Sequence, residues 1–222
     1  MNFFGHALIA QRNEATRGAV RAEFVLGAML PDFASMLRAR PPSSTDAVVE
    51  AGLRFHHVTD DAFHGSRAFL EFSGQASSFL GSHGLSRGSA RAVAHVGVEL
   101  LLDAALVDDR ANEAYLSAIE CGLTARVSDH IHWLDSDAKA RFKHLCHSLE
   151  SRGAVRADTS PELIAQRLRN ILEGRPRLAL DEQGQSVVRD WAMTARPAIV
   201  RGARELLLEV ERRLELSINL ER

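Results

Sequence analysis

The stretch His95–Ala105, with the sequence HVGVELLLDAA, is the best guide to the fold of this chain. Its ionisable residues His95, Glu99 and Asp103 are spaced four apart, so they share one face of a helix. Every other residue in the stretch is apolar or glycine. A helix that is apolar on its remaining sides is buried, and a polar stripe on it is rarely solvated. The stretch therefore predicts a buried helix with a polar face.

A second polar stretch, Phe55–Asp61, has the sequence FHHVTDD. On a helix His56 and Asp60 share one face, and His64 follows on the same face one turn later. His57 pairs in the same way with the last residue of the stretch. One helix thus offers several nitrogen and oxygen ligands.

Two further groups occur in apolar N-terminal segments. His6 lies within MNFFGHALIA, and Asp32 follows the run FVLGAMLP, so both are expected to point inward. Imidazoles and carboxylates without a thiolate suit Mn, Fe, Mg or a catalytic Zn. The candidate metal ligands are His6, Asp32, His56, His57, Asp60, His64, His95, Glu99 and Asp103. Two simpler interpretations stay open: His6 is a hydrogen-bonded core histidine, or His95 and Glu99 form a structural pair.

The composition favours an all-α fold. The chain has 222 residues, of which 45% are hydrophobic, and it lacks the alternating β-branched pattern of strands. We expect one all-helical domain over residues 1–222, with a polar metal-type core in 1–107 and a helical C-terminal part in 108–222.

Local signals predict where helices begin and break. Thr45 or Asp46 is placed to cap one helix, and Ser160-Pro161 is typical of the start of another. Pro31 is expected to interrupt its helix, and Pro197 to interrupt or kink the last long helix, because proline removes a backbone donor.

Charge and hydropathy argue against several classes of partner. A net charge of -2 leaves no electrostatic footprint for a nucleic-acid backbone. No apolar stretch reaches the roughly 18 residues that cross a bilayer, and we expect no signal peptide. Cys121 and Cys146 form no CxxC pair, as is typical of a cytoplasmic protein. The amphipathic segment 203–218 packs on the bundle or on a partner helix, which leaves a homo-oligomer open.

Arginines in the C-terminal part of the chain form a second candidate site. Arg167 and Arg169 lie near the predicted end of a helix, and Arg175 and Arg177 lie in the loop after it. Guanidinium groups bind phosphate through paired hydrogen bonds. A solvated basic helix end is the alternative, since cations are favoured at helix C-termini in any protein.

Several motifs resemble those of the acyl carrier protein phosphodiesterase family, all-helical relatives of the HD-type metal phosphohydrolases. The similar segments are MNFFGHALIA, Leu26–Phe33, Gly52–Asp60, Phe63 with His64, and His95–Leu106. The resemblance covers residues 1 to about 107. Three positions depart from the family pattern: Pro31 replaces a glycine, His57 an arginine and Ala104 a histidine.

The resemblance implies a helical bundle of the HD type and a metal-dependent phosphohydrolase or phosphodiesterase, in which a metal-bound water attacks a phosphoester. Asp32 and Asp60 would be catalytic as well as ligands, and Arg175 or Arg177 would stabilise the developing charge. The substrate would be a small-molecule or carrier-protein phosphoester. Ala104 favours the alternative, a non-catalytic module of the same fold that binds a small molecule or a protein.

Overall fold

The computed structural model describes residues 1–157 and 159–220. The helices in these residues are α1 Phe3–Ala15, α2 Ala22–Met36, α3 Ala47–His64, α4 Arg67–Ser82, α5 Arg87–Ala105, α6 Asp109–Leu123, α7 Ala125–Ser128, α8 Ala138–Arg152, α9 Pro161–Leu172 and α10 Glu182–Leu220. Two short strands, β1 Ser43–Ser44 and β2 Ile131–His132, pair antiparallel. The predicted all-α fold is confirmed. Within the described residues, no helix combines the length and the apolar character that a membrane span requires.

The chain divides into two compact units. Unit 1 contains Met1–Asp61 and Val107–Val155, and unit 2 contains Ala62–Leu106 and Arg156–Leu216. Helices that follow residue 107 therefore contribute to both units. The single domain expected over residues 1–222 stays a prediction.

Helix α2 forms the centre of unit 1. It packs against α1, α6 and α8, and every residue of Phe24–Leu30 is buried. A helix that is buried on all sides needs an apolar sequence all round, and FVLGAML supplies one. The large buried side chains of this unit include Phe4, Leu8, Phe33, Tyr115 and Phe142.

Helix α5 has a similar position in unit 2. It packs against α4 and α9, and Val93, Val98 and Leu101 on it are buried. Gly97 allows close contact with Trp191, since a Cβ at Gly97 would lie 2.6 Å from the indole ring. The predicted burial of HVGVELLLDAA is confirmed, although its first residue is exposed.

The predicted helix starts are confirmed by hydrogen bonds. Oδ1 of Asp46 accepts from the backbone N–H groups of Val48 and Val49 at 2.8 and 3.1 Å. Oγ of Ser160 accepts from the backbone N–H of Leu163 at 3.3 Å. Both side chains thus satisfy donors that a helix N-terminus leaves without a partner.

Pro31 and Pro197 do not interrupt their helices, so the predicted interruptions were wrong, and the alternative of a kink at Pro197 stays a prediction. A proline inside a helix costs roughly 3 kcal/mol, because it removes one hydrogen bond and crowds the preceding turn. Burial of apolar side chains on both sides of each proline offsets this cost. Phe33 is buried beyond Pro31, and Trp191 and Ile199 are buried on either side of Pro197.

Helices α2 and α3 approach each other backbone to backbone at Gly27 and Gly52. A Cβ on Gly27 would lie 2.2 Å from the carbonyl oxygen of Val49, and a Cβ on Gly52 would lie 2.2 Å from that of Phe24. Only glycine permits such an approach. The contact fixes which turns of the two helices face each other.

Alanine at Gly27 or Gly52 is expected to destabilise the protein by about 1–3 kcal/mol or more, because α2 and α3 must move apart. Gly74→Ala is the matched control: this glycine lies in α4, and a Cβ there meets nothing within 4 Å. The control change is expected to stabilise by roughly 0.5–1 kcal/mol. Urea unfolding followed by circular dichroism measures all three variants. Wild-type stability in Gly27→Ala would contradict the close approach.

Candidate metal centre

Four predicted ligands come together in unit 1, and we name His6, Asp32, His56 and Asp60 the buried cluster. They lie on α1, α2 and α3. Nε2 of His6 is 3.7 Å from Oδ1 of Asp60 and 3.9 Å from Oδ2 of Asp32. The rings of His6 and His56 stack with their centroids 3.9 Å apart. Both imidazoles are buried, whereas the Asp32 and Asp60 side chains are 25% and 36% exposed.

The backbone of α2 orients His56. Nδ1 of His56 lies 2.9 Å from the carbonyl oxygen of Ala28, and because a carbonyl only accepts, Nδ1 carries the proton and donates. Ala28 follows Gly27, so the close approach of α2 and α3 places this carbonyl beside the ring. Burial lowers the pKa of His56, which keeps the ring neutral at pH 7. Its Nε2 then has a lone pair, as in histidines that bind metals.

Thr59 orients the ring of His6, which is also held through its Nδ1 atom. Nδ1 of His6 lies 2.9 Å from Oγ1 of Thr59, and the Thr59 hydroxyl donates to the carbonyl oxygen of His56 at 2.8 Å. A hydroxyl has one proton, so Oγ1 must accept the proton of His6 Nδ1. Burial lowers the pKa of His6 to about 3. The ring is therefore neutral at pH 7, and its Nε2 also has a lone pair.

The lone pair of His6 Nε2 faces carboxylate oxygens of Asp32 and Asp60. These three atoms are all acceptors, and their separations of 3.7 and 3.9 Å exceed a hydrogen bond. A neutral imidazole nitrogen and carboxylate oxygens at these separations can hold a cation between them. Metal–ligand bonds of about 2.0–2.2 Å give separations of roughly 3–4 Å between ligands, so a divalent cation fits. The main-chain nitrogen of Met1 lies 3.6 Å from Oδ1 of Asp60.

Three other predicted ligands come together in unit 2, and we name His64, His95 and Glu99 the surface cluster. Nε2 of each histidine lies 3.1 Å from Oε1 of Glu99, and the two rings stack with centroids 4.7 Å apart. The ring of Phe69 packs edge-on against both imidazoles. Burial alone would raise the pKa of Glu99, but hydrogen bonds from His64 and His95 hold it well below its usual range. Glu99 is therefore ionised.

The remaining predicted site residues belong to neither cluster in the part of the chain that the structure describes. His57 is exposed on α3. Asp103 is buried on α5, one turn beyond Glu99, and its predicted convergence with Asp32, His56 and Asp60 stays a prediction. Arg175 and Arg177 are exposed in the turn after α9, and their role toward phosphate also stays a prediction.

Sequence reasoning missed the two groups that orient the buried imidazoles. Thr59 gave a signal, because it follows His56 by three residues and a threonine at that spacing bonds to the preceding turn of a helix. The carbonyl oxygen of Ala28 gave none, because the backbone carries no sequence signature. Only the approach of α2 to α3 brings it to His56.

A pair of exposed histidines, His130 and His132, lies near the strands, where helical spacing did not predict that they meet. Oγ1 of Thr45 lies 2.9 Å from Nδ1 of His130 and 3.3 Å from Nε2 of His132. The two-residue strands that bring these groups together are too short to show an alternating pattern in the sequence. No carboxylate completes a metal-binding group here among the residues that the structure describes.

The buried neutral histidines predict stability that is lost in acid. The folded-state pKa of His6 is lowered from 6.5 to about 3, so the unfolded chain binds an extra proton between these values. Stability is full above pH 6.5 and falls toward pH 3 at up to about 1.4 kcal/mol per pH unit for this group. Urea unfolding in EDTA at several pH values gives the slope. His6→Gln is expected to reduce the slope of stability against pH, whereas His144→Gln, at an exposed position, leaves the slope unchanged. Equal slopes in both variants would contradict the assignment of the acid sensitivity to His6.

Compared with known proteins, the chain matches no family model, no curated protein and no solved structure. Its resemblance to the acyl carrier protein phosphodiesterase family therefore stays a prediction. The structure itself contains two groups of histidine, aspartate and glutamate side chains that could hold a metal ion.

Proposed function

We propose that this protein is a metal-dependent phosphohydrolase or phosphodiesterase whose active site is the buried cluster. The proposal rests on one observation. The unprotonated Nε2 of His6 lies 3.9 Å from Oδ2 of Asp32 and 3.7 Å from Oδ1 of Asp60. Two imidazole nitrogens and two carboxylates are a ligand set that suits Mn, Fe, Mg or Zn. The family resemblance adds the phosphoester as the bond that is cleaved.

The four members of the buried cluster would hold the cation. When bound, such an ion lowers the pKa of a coordinated water and polarises a phosphoryl oxygen, which is the chemistry that phosphoester hydrolysis needs. The contribution of the protein itself is orientation. Thr59 and the carbonyl of Ala28 hold both imidazoles with their Nε2 lone pairs free of protons, so no ring has to rotate or deprotonate before an ion binds.

Asp60 is the residue best suited to move a proton. Its carboxylate is the most exposed member of the cluster, at 36%, so it can exchange protons with solvent. In the proposed reaction a water oxygen forms a bond to phosphorus, the phosphorus–oxygen bond to the leaving alcohol breaks, and Asp60 accepts the proton of the attacking water. The leaving oxygen takes a proton from solvent. Asp32, at 25% exposure, is the second candidate for this role.

The substrate class follows from the resemblance. A small-molecule phosphoester or the phosphoester of a carrier protein would approach from the carboxylate side of the cluster, because the imidazole side is closed. His6 has no exposed surface, whereas both carboxylates are partly exposed.

A non-catalytic binding module of the same fold is the second candidate. Two observations favour it. Both Nδ1 atoms of the buried cluster have protein partners, which hold the imidazoles in place without an ion. Ala104 also stands where the resembling family has a histidine. In that case the cluster is a polar network that stabilises one arrangement of α1, α2 and α3.

Asp60→Asn and Asp32→Asn are expected to reduce hydrolysis of phosphodiesters by roughly 10²–10⁴-fold, because each loses a ligand and a proton acceptor. Asp61→Asn is the matched control, since Asp61 is an exposed neighbour on α3 outside the cluster. Purified chain is assayed with Mn²⁺ against a panel of phosphodiesters and a phosphopantetheinylated carrier protein. Full turnover in Asp60→Asn and Asp32→Asn would refute the proposed site. Absence of turnover in wild type that nonetheless binds Mn²⁺ would favour the binding module.

Thr59→Val is expected to weaken Mn²⁺ binding by about 10–100-fold, because His6 loses the partner that fixes its ring. Valine keeps the shape of threonine and removes only the hydroxyl, so the fold is retained. Isothermal titration gives the affinity, and thermal unfolding in EDTA reports stability separately. Unchanged Mn²⁺ affinity would show that Thr59 does not position the ligand.

A further inference from the structure

We propose that the surface cluster, His64 with His95 and Glu99, is a second and separate site that binds Zn²⁺. This inference goes beyond the proposed function, since the three residues lie in unit 2 and are not members of the buried cluster. Two imidazoles and one glutamate are the ligand set of zinc sites that keep an open coordination position. No thiolate is among them, as expected for a site that exchanges its ion rather than a structural one.

The distances within the surface cluster fit a zinc ion. Bonds of about 2.0–2.2 Å in a tetrahedron place neighbouring ligand atoms roughly 3.3 Å apart. Nε2 of His64 and Nε2 of His95 each lie 3.1 Å from Oε1 of Glu99. All three ligand atoms lie within 4.8 Å of one another. The ligands therefore need only small shifts to take up an ion.

The site is preorganised and accessible. His95 and Glu99 are one helical turn apart on α5, and the ring of Phe69 contacts both imidazoles. The His95 side chain is 49% exposed and that of His64 is 29% exposed, which gives an ion a path from solvent. The fourth position of the tetrahedron is then open to water or to a ligand of zinc.

A zinc ion would occupy the position that the two histidines share on Glu99. Without an ion, Nε2 of each ring lies 3.1 Å from the same Glu99 oxygen, Oε1. Zinc takes the place of both Nε2 protons and attracts all three ligand atoms. Each ring moves its proton from Nε2 to Nδ1 by exchange with solvent and stays neutral.

The test measures strong Zn²⁺ binding by the whole chain after removal of metals with EDTA. Isothermal titration and competition with a chromophoric chelator give affinity and stoichiometry. His95→Gln is expected to lose one strongly bound ion, with the zinc affinity of that site lowered at least about 100-fold. Even a residue that only hydrogen-bonds to a metal ligand contributes about 10–100-fold to metal affinity. His95 is half exposed, so this variant is expected to fold, and circular dichroism checks that it does.

His132→Gln is the matched control. His132 is an exposed histidine that shares Thr45 Oγ1 with His130, and it has no carboxylate partner within residues 1–157 and 159–220. It is expected to bind Zn²⁺ as wild type does. His6→Gln separates the two proposals: it removes the ion and the activity of the buried cluster and leaves the site on His95 intact. Equal zinc stoichiometry and affinity in His95→Gln and wild type would overturn the zinc site. The surface cluster would then be a hydrogen-bonded network only, and this conclusion would hold whatever the outcome at the buried cluster.

Discussion

The close approach of α2 and α3 at Gly27 and Gly52 is the constraint on which the buried cluster depends. Because no side chain separates the helices there, the carbonyl of Ala28 comes within hydrogen-bond distance of His56. That bond fixes the ring, so a separation of the helices by the width of one methyl group would release His56. Thr59, held by the carbonyl oxygen of His56 within α3, fixes His6 separately.

The ring nitrogen that each histidine uses toward the protein distinguishes the two clusters. In the buried cluster both Nδ1 atoms bond to protein groups, and both Nε2 atoms keep lone pairs. In the surface cluster the Nε2 atoms of His64 and His95 already face Glu99. A cation entering the buried cluster finds its ligands deprotonated, whereas a cation at the surface cluster must first replace protons on Nε2.

The sequence predicted the helical fold and the members of the two clusters because both follow from residue spacing. Four-residue spacing places His95 with Glu99 and His56 with Asp60 on one face of a helix, whatever the tertiary structure. Spacing cannot say which helices meet, so it did not separate the predicted ligands into two clusters. It also treated Pro31 as a break, because the burial that offsets a proline depends on neighbouring helices. The carbonyl group of Ala28, which orients His56, has no sequence signature.

Burial determines how each cluster would respond to its ion. In the buried cluster, both imidazoles are buried, so the free energy of binding an ion there would add to the free energy of folding. In the surface cluster, water reaches His95 and the Glu99 carboxylate accepts two hydrogen bonds, so the empty state costs little. An ion in the buried cluster would therefore be retained and would stabilise the packing of α1, α2 and α3. An ion in the surface cluster would exchange with solvent, because the half-exposed side chain of His95 gives it a path to water.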